Sequence, residues 1–336
     1  MLNHLDHLPP GLLDRDAQEL HDVLGGPTLI ELPGRREPPL FVSVLLHGNE
    51  PVGWQAVQAL LARMPEPLPR ALCLFIGNVA AARDGLRRLD GQPDYNRVWP
   101  GGEDHDGAEA RMMRDVVERL RQRGVFASVD VHNNTGLNPH YACVNRLEHP
   151  FLQLATLFGR TVVHFLRPTG VQSAAMAALC PAVTLECGRP GEMHGVEHAS
   201  EYLEACLRLS EIPTHAVAAH DIDLFHTAAT LKVPDDVGLS FDGSHTDLMF
   251  HPDIERLNFR ELAAGTELGR LGEGGRGRLQ VTDEAGRDVG EDWIGIDGDR
   301  LLLARRAMPS MLTLDERVVR QDCLCYLMER LPPPGS

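Results

Sequence analysis

His47 and Glu50 stand three residues apart in the segment LLHGNE, where an apolar run from Leu40 to Leu46 breaks at His-Gly-Asn. A second histidine, His132, ends the apolar run ASVDVH, and Glu186 lies near the end of a third, AVTLEC. Two imidazoles and one carboxylate form a three-ligand set suited to a catalytic zinc ion, with a fourth position open to water. The remaining glutamate is then the base such a water needs. Between these segments, DYNRVW at 94–99 offers a carboxylate, an amide and a guanidinium together. A carboxylate can orient a ligand imidazole through its second nitrogen. A guanidinium beside an amide can grip a substrate carboxylate. Asp130 shares a strand face with His132 by the two-residue repeat, which gives it indirect influence on the same place. Taken alone, HGNEP also reads as a capped helix start, with Asn49 as N-cap and Pro51 in the first turn.

Elements able to hold these residues alternate along the first two thirds of the chain. Strands are expected at 39–46, 71–77, 125–131, 161–166 and 182–187, with helices at 51–63, 107–123, 149–159 and 197–210. In 107–123, Met112, Met113, Val116, Val117 and Leu120 recur at helical spacing opposite Glu and Arg. This alternation predicts an α/β fold: a mixed, mainly parallel sheet flanked by helices. Ligands of such sheets bind beyond the carboxyl ends of the strands, where His47, His132 and Glu186 fall. The polar, turn-rich stretch 90–107 is read as an irregular functional loop.

After residue 214 the pattern changes to short apolar runs at 221–233, 277–283, 289–296 and 299–305. Turn signals at Pro234-Asp235-Asp236, Gly274-Gly275 and Asp297-Gly298 separate them, and only 255–263 keeps a helical period. The expectation is a catalytic domain over 1–214 and a smaller β-rich domain over 215–336.

The formal net charge of −16 over 336 residues opposes binding to nucleic acid or an anionic membrane surface. The N-terminus is acidic and proline-bearing rather than signal-like. No window approaches the ~20 apolar residues needed to cross a bilayer. Seven cysteines without a spacing framework, including Cys323 and Cys325, read as buried thiols of a reducing, cytoplasmic compartment.

The motifs HGNE, DYNR, DVHNNTG and TLECG, in this order over about residues 40–190, resemble the zinc carboxypeptidase superfamily. The resemblance is to its deacylase branch, the succinylglutamate desuccinylase and aspartoacylase family, and the β-rich tail agrees with that branch. It implies one zinc ion per chain on His47, Glu50 and His132, with Glu186 as general base and acid. It further implies Asp94 behind a zinc-bound histidine, and Asn96 and Arg97 on the free carboxylate of a small-molecule substrate. Arg87, or Arg88 beside it, would polarise the scissile carbonyl. Aspartoacylases carry an arginine about ten residues before the catalytic glutamate, where this chain has Met176. The acyl group expected is therefore less acidic than succinyl or aspartyl, unless Arg189 compensates.

The activity implied is hydrolysis of a small N-acyl amino acid or related amide. A carboxypeptidase acting on short peptides and a non-catalytic metal-binding protein are the alternatives. HGVEH at 194–198 has the form of an inverted zincin site, but it leaves the other motifs unused and reads better as a helix start. His140 begins the strand after the His132 loop and is a candidate to line the pocket. The sequence is compatible with a homo-oligomer.

Overall fold

The computed structural model describes residues 2–103, 106–273 and 278–334. It divides into two compact units: Met1–Asn133 with His140–Leu224 and Pro332–Ser336, and Asn134–Pro139 with Phe225–Leu331.

Eight strands build the sheet of the first unit: β1 (Asn3–Leu5), β2 (Thr28–Leu32), β3 (Leu40–Val44), β4 (Leu72–Ile76), β5 (Ala127–His132), β6 (Tyr141–Val144), β7 (Thr161–His164) and β8 (Ala182–Glu186). Their order is β1-β2-β4-β3-β5-β8-β6-β7. The central strands β4, β3, β5 and β8 run parallel, whereas β2 joins β4 and β6 joins β8 in antiparallel pairs. The sheet is thus mixed and mainly parallel, as the alternation of elements predicts. Every residue of β3, β4, β5 and β8 is buried, as expected of strands covered on both faces. Register places Val44 opposite Val131, and His132 opposite Glu186. The carboxyl ends of three adjacent strands therefore share one edge.

The helices are α1 (Leu20–Leu24), α2 (Val52–Arg63), α3 (Val79–Arg83), α4 (Ala108–Arg123), α5 (His149–Thr156), α6 (Gln172–Met176) and α7 (Met193–Arg208). The five apolar residues of α4 named above are all buried. Helix α7 starts four residues before the expected 197, so HGVEH lies in its opening turns. The start of α2 corrects the Asn49 reading: the N-cap is Pro51, without a side-chain cap. Instead the Val52 N–H donates to Asn133 Oδ1 at 3.1 Å, a cap supplied from the DVHNN segment. Short β1, β2, α3 and α6 have too few residues for a period and lie outside the expected set.

Gly48 in the HGNE turn is required by close approach rather than by dihedral angle. A Cβ there would lie 2.2 Å from the Ala82 nitrogen and 2.7 Å from the Leu86 oxygen, both backbone atoms. Gly53 lets α2 settle on the sheet, where a Cβ would meet the side chains of Val44 and Val131 at about 3 Å.

Away from the strand ends that carry the site, Glu31 of β2, opposite Cys73 in β4, accepts hydrogen bonds from Arg119 of α4 at 3.0 and 3.1 Å. Burial alone would raise its pKa, but Arg119, His4 and Arg123 outweigh this and lower it from 4.5 to about 2. A lowered carboxylate stabilises the fold fully above its unfolded pKa and progressively less as pH falls through the folded one. Urea midpoints of the parent and of Glu31→Gln should therefore differ most at neutral pH and converge between pH 4.5 and 2. A constant difference over that window would refute the linkage.

In the second unit, β9 (Asp223–Lys232) pairs antiparallel with β13 (Gln280–Asp283) and with β17 (Cys325–Arg330), and β17 with β16 (Met308–Ser310). A separate five-stranded sheet runs β10 (Leu239–Ser240), β11 (Leu248–Phe250), β12 (Glu267–Leu271), β15 (Arg300–Leu303), β14 (Ile294–Asp297). Leu231, Leu248, Trp293, Leu303, Leu324 and Leu327 belong to its core. The β-rich expectation holds, and among the described residues two short helices join the strands, α8 (Gly290–Trp293) and α9 (Glu316–Gln321). The helical period at 255–263 yields only a 3-10 turn, Ile254–Leu257, and the turn expected at Gly274-Gly275 lies outside the described residues. Among the described residues no helix is long and apolar enough to cross a membrane.

Candidate functional site

The turn from β3 into α2 opens with Leu45 at a φ of 55°, a conformation that costs a branched side chain about 1–3 kcal/mol and that clusters at functional sites. The Asn78 N–H donates to the Leu45 carbonyl at 2.6 Å, and Glu50 N–H closes the turn on His47 O at 3.2 Å. His47 and Glu50 thereby project together. His47 Nδ1 lies 2.9 Å from Glu50 Oε1, and His132 Nδ1 lies 2.6 Å from Glu50 Oε2. The two ring centroids are 5.1 Å apart.

His47, Glu50 and His132 are all buried, and each offers one ligand atom within 4.8 Å of the others. Among the described residues this is the one group of three or more that meets that test. Two imidazole nitrogens and a carboxylate converging from three directions are a donor set for a borderline-soft divalent ion such as Zn2+.

The outer nitrogen of each imidazole is also held. His47 Nε2 lies 2.9 Å from Asp94 Oδ1, and His132 Nε2 lies 2.8 Å from Asp130 Oδ2. The expected carboxylate behind a histidine is therefore Asp94 behind His47, and Asp130 repeats the device behind His132. Ser43 Oγ donates to Asp130 Oδ1 at 2.6 Å and fixes its orientation. Such bonds set the tautomer that leaves Nδ1 free to ligate.

The electrostatics follow. Burial would raise the Glu50 carboxyl, but the charges of His47 and His132 hold it well below the usual carboxylate range. Asp94 is treated alike: burial raises it, and His47, Arg87 and Arg97 more than reverse this. Burial would lower His132, yet Asp130 and Glu50 push it well above an ordinary histidine. The site is a nest of anionic oxygens that favours positive charge at the imidazoles or between them.

Arg87, rather than Arg88, faces this cluster. Its Nε and Nη2 donate to Asp94 Oδ2 at 3.2 and 3.0 Å, and Nη1 lies 3.7 Å from Glu50 Oε1. Arg88 donates to the Gln92 carbonyl.

Asn96 sits behind His132. Its Oδ1 accepts from the Gln172 N–H at 2.8 Å, and its Nδ2 lies 3.4 Å from Asp130 Oδ2 and 3.2 Å from His132 Nε2. This leaves at most one amide hydrogen for a substrate. Arg97 is half-buried and donates to the Asn96 carbonyl at 2.8 Å.

Glu186 ends β8, buried, beside His132 on one side and Tyr141 on the other. Met176 is fully buried in α6 and presents no polar group. Arg189 follows the β8 turn, half-buried. His140 pairs with His198 of α7, Nδ1 to Nδ1 at 2.9 Å, rather than with His47 or His132. The HGVEH histidines thus belong to a different cluster from the candidate site. All seven cysteines are buried free thiols. Burial pushes the Cys143 and Cys187 thiols far up, with Glu186 adding to it, so they are unreactive neighbours.

Sequence reasoning passes over Ser43, Asn133 and Gln172. Asn133 caps α2, and its N–H donates to Glu50 Oε2 at 3.3 Å. Gln172 holds Asn96 and donates to Ser128 Oγ at 2.8 Å. Their roles depend on partners tens of residues away, which no local spacing encodes.

Comparison with solved structures finds the same fold. A succinylglutamate desuccinylase from Vibrio parahaemolyticus is 13% identical with a TM-score of 0.59, covering 90% of this chain and 86% of that one. A succinylglutamate desuccinylase/aspartoacylase from Rhodobacter sphaeroides is 18% identical at 0.58, covering 90% and 88%. Murine aminoacylase 3 is 14% identical at 0.58, covering 88% and 97%. No curated protein matches the sequence. The sequence profile of the succinylglutamate desuccinylase/aspartoacylase catalytic domain matches residues 37–210, just over half of the chain and all of the site. The chain belongs to the succinylglutamate desuccinylase/aspartoacylase family.

Proposed function

We propose that this protein is a zinc-dependent amidohydrolase that removes the acyl group from a small N-acyl amino acid or related amide, in the cytoplasm. The observation that carries this reading is the meeting of His47 Nδ1 and His132 Nδ1 on one carboxylate, Glu50, with Glu186 at the neighbouring strand end. One zinc ion on His47, Glu50 and His132 would supply Lewis acidity toward water and toward the scissile carbonyl.

The rest falls to side chains. Glu186 takes a proton from the attacking water as its oxygen bonds to the carbonyl carbon. It returns that proton to the nitrogen as the carbon–nitrogen bond breaks, releasing a carboxylic acid and an amine. Arg87, half-committed to Asp94, lends its remaining positive charge to the oxygen that becomes anionic. Arg97, with the one remaining amide hydrogen of Asn96, takes the free carboxylate of the amino-acid portion. The names of the structural relatives, desuccinylase and aminoacylase, support an N-acyl amino acid as the substrate class.

Met176 supports a neutral or short acyl group, since a buried methionine offers no counter-charge to a succinyl carboxylate. A panel of N-acyl amino acids and dipeptides, incubated with zinc-loaded protein, tests the proposal. Release of free amino acid from N-acyl substrates should exceed dipeptide cleavage by tenfold or more, with acetyl above succinyl. Faster dipeptide cleavage would make the protein a carboxypeptidase. No turnover on any amide would make it a binding protein.

A further inference from the structure

Each polar group of Asn96 has a partner inside the protein, and those partners serve both histidines of the candidate site. Its backbone N–H donates to Asp94 Oδ1 at 2.8 Å, the same oxygen that lies 2.9 Å from His47 Nε2. Its side-chain Nδ2 lies 3.4 Å from Asp130 Oδ2, the same oxygen that lies 2.8 Å from His132 Nε2. Its carbonyl accepts from Arg97 Nη1 at 2.8 Å, and its Oδ1 accepts from the Gln172 N–H at 2.8 Å. One residue thus ties together the two carboxylates that stand behind the two imidazoles. Asn96, Asp130 and Gln172 are all buried, so these bonds are not exchanged for bonds to bulk water.

The amide can face only one way. A backbone N–H donates and never accepts, so the atom toward Gln172 is the oxygen, and the NH2 is left facing Asp130. Turned over, the amide would set its oxygen against a carboxylate and its NH2 against an N–H, two unmade bonds in a buried place. As it stands, Asp130 Oδ2 takes the imidazole N–H and the amide N–H, while Oδ1 takes the Ser43 hydroxyl at 2.6 Å. The 3.2 Å approach of Asn96 Nδ2 to His132 Nε2 follows from that shared acceptor. Gln172 is held in turn: its Nε2 donates to Ser128 Oγ at 2.8 Å, on the same face of β5 as Asp130 and His132.

We infer that Asn96 is a positioning residue for the metal ligands: it sets the aim of His47 through Asp94 and of His132 through Asp130, and the Gln172 N–H holds its amide the right way round. This rests on the zinc reading above and deepens it. Partners behind a ligand histidine fix its tautomer and ring orientation, and here the two partners are fixed to each other through one side chain. At most one amide hydrogen of Asn96 is left for a substrate, so Arg97 carries the greater part of the hold on a substrate carboxylate.

Zinc affinity of the full-length protein without substrate, measured by competition against a chromophoric chelator, reads a role that substrate binding would not move. Asn96→Ala should weaken zinc about tenfold, the lower end of the usual cost of losing an outer partner of a metal ligand, with kcat falling by more than KM rises. Gln172 gives a second test that leaves Asn96 in place. It is the first residue of α6, after Val171 in an extended conformation with a ψ of 153°, a position where proline fits and the helix itself does not use the N–H. Gln172→Ala and Gln172→Pro both lose the bond to Ser128, but only the proline lacks the N–H that holds Asn96. Gln172→Pro should therefore bind zinc several-fold more weakly than Gln172→Ala. Parent-like zinc affinity in Asn96→Ala, with KM raised instead, makes Asn96 a substrate ligand and overturns the inference. Equal affinity in the two Gln172 variants overturns it as well. A parent that takes up no zinc overturns the zinc reading and this inference with it, a result distinct from variants that match a zinc-binding parent.

Discussion

Replacing Glu186 by Gln should lower kcat by about 10²–10⁴-fold, the usual contribution of a positioned acid–base group, while the protein keeps the parent's zinc content. The amide has nearly the shape of the carboxylate, so the buried end of β8 stays packed against His132 and Tyr141. What it cannot do is take a proton from water and return it to the departing nitrogen. The three proposed ligand residues lie on β5 and on the turn after β3, and the hydrogen bonds named above tie them to one another, to Asp94 and to Asp130. Amine release under saturating substrate, with zinc measured on the same sample, reads both halves. Turnover within tenfold of the parent would remove Glu186 from the chemistry, and loss of zinc would make it a ligand instead.

His47→Ala should abolish turnover and cost one zinc ion per chain relative to the parent. It should also destabilise the metal-free protein. His47 is the bridge between two buried carboxylates, Glu50 at 2.9 Å and Asp94 at 2.9 Å. Without it, Asp94 keeps Arg87, and Glu50 keeps His132, the Asn133 N–H and the more distant Arg87 but loses one of its two imidazoles. Breaking a buried ion pair typically costs about 3–5 kcal/mol. Both carboxyl groups, now held well below their ordinary range, should titrate at higher pH in the variant. Urea unfolding of chelator-treated samples and elemental analysis give the two readouts. An unchanged midpoint together with unchanged zinc would leave His47 as a bystander.

The strands that carry the site were legible because they are buried on both faces and so appear as unbroken apolar runs ending in a polar ligand. The histidine and glutamate of HGNE, the histidine of DVH and the glutamate of TLEC each announce themselves at such an end. The Arg87 and Arg88 alternatives were not separable from spacing alone. Adjacent residues point in different directions, and only the folded loop turns Arg87 to Asp94 and Arg88 to the Gln92 carbonyl. The same holds for Asn96, adjacent to Arg97 in a motif read as one grip. Its amide is drawn instead toward Gln172 and Asp130.

The amino-acid order by itself determined the family, the α/β architecture and the identity of the residues that meet at the strand edge. Those depend on apolar periodicity and on short motifs, both of which are local. The tertiary structure decided which nitrogen of each histidine faces Glu50, which carboxylate stands behind it, what caps α2 and where HGVEH goes. Apart from Asp130, two residues from His132, these are contacts between segments dozens of residues apart, and hydrogen bonds across such distances leave no repeating trace along a chain.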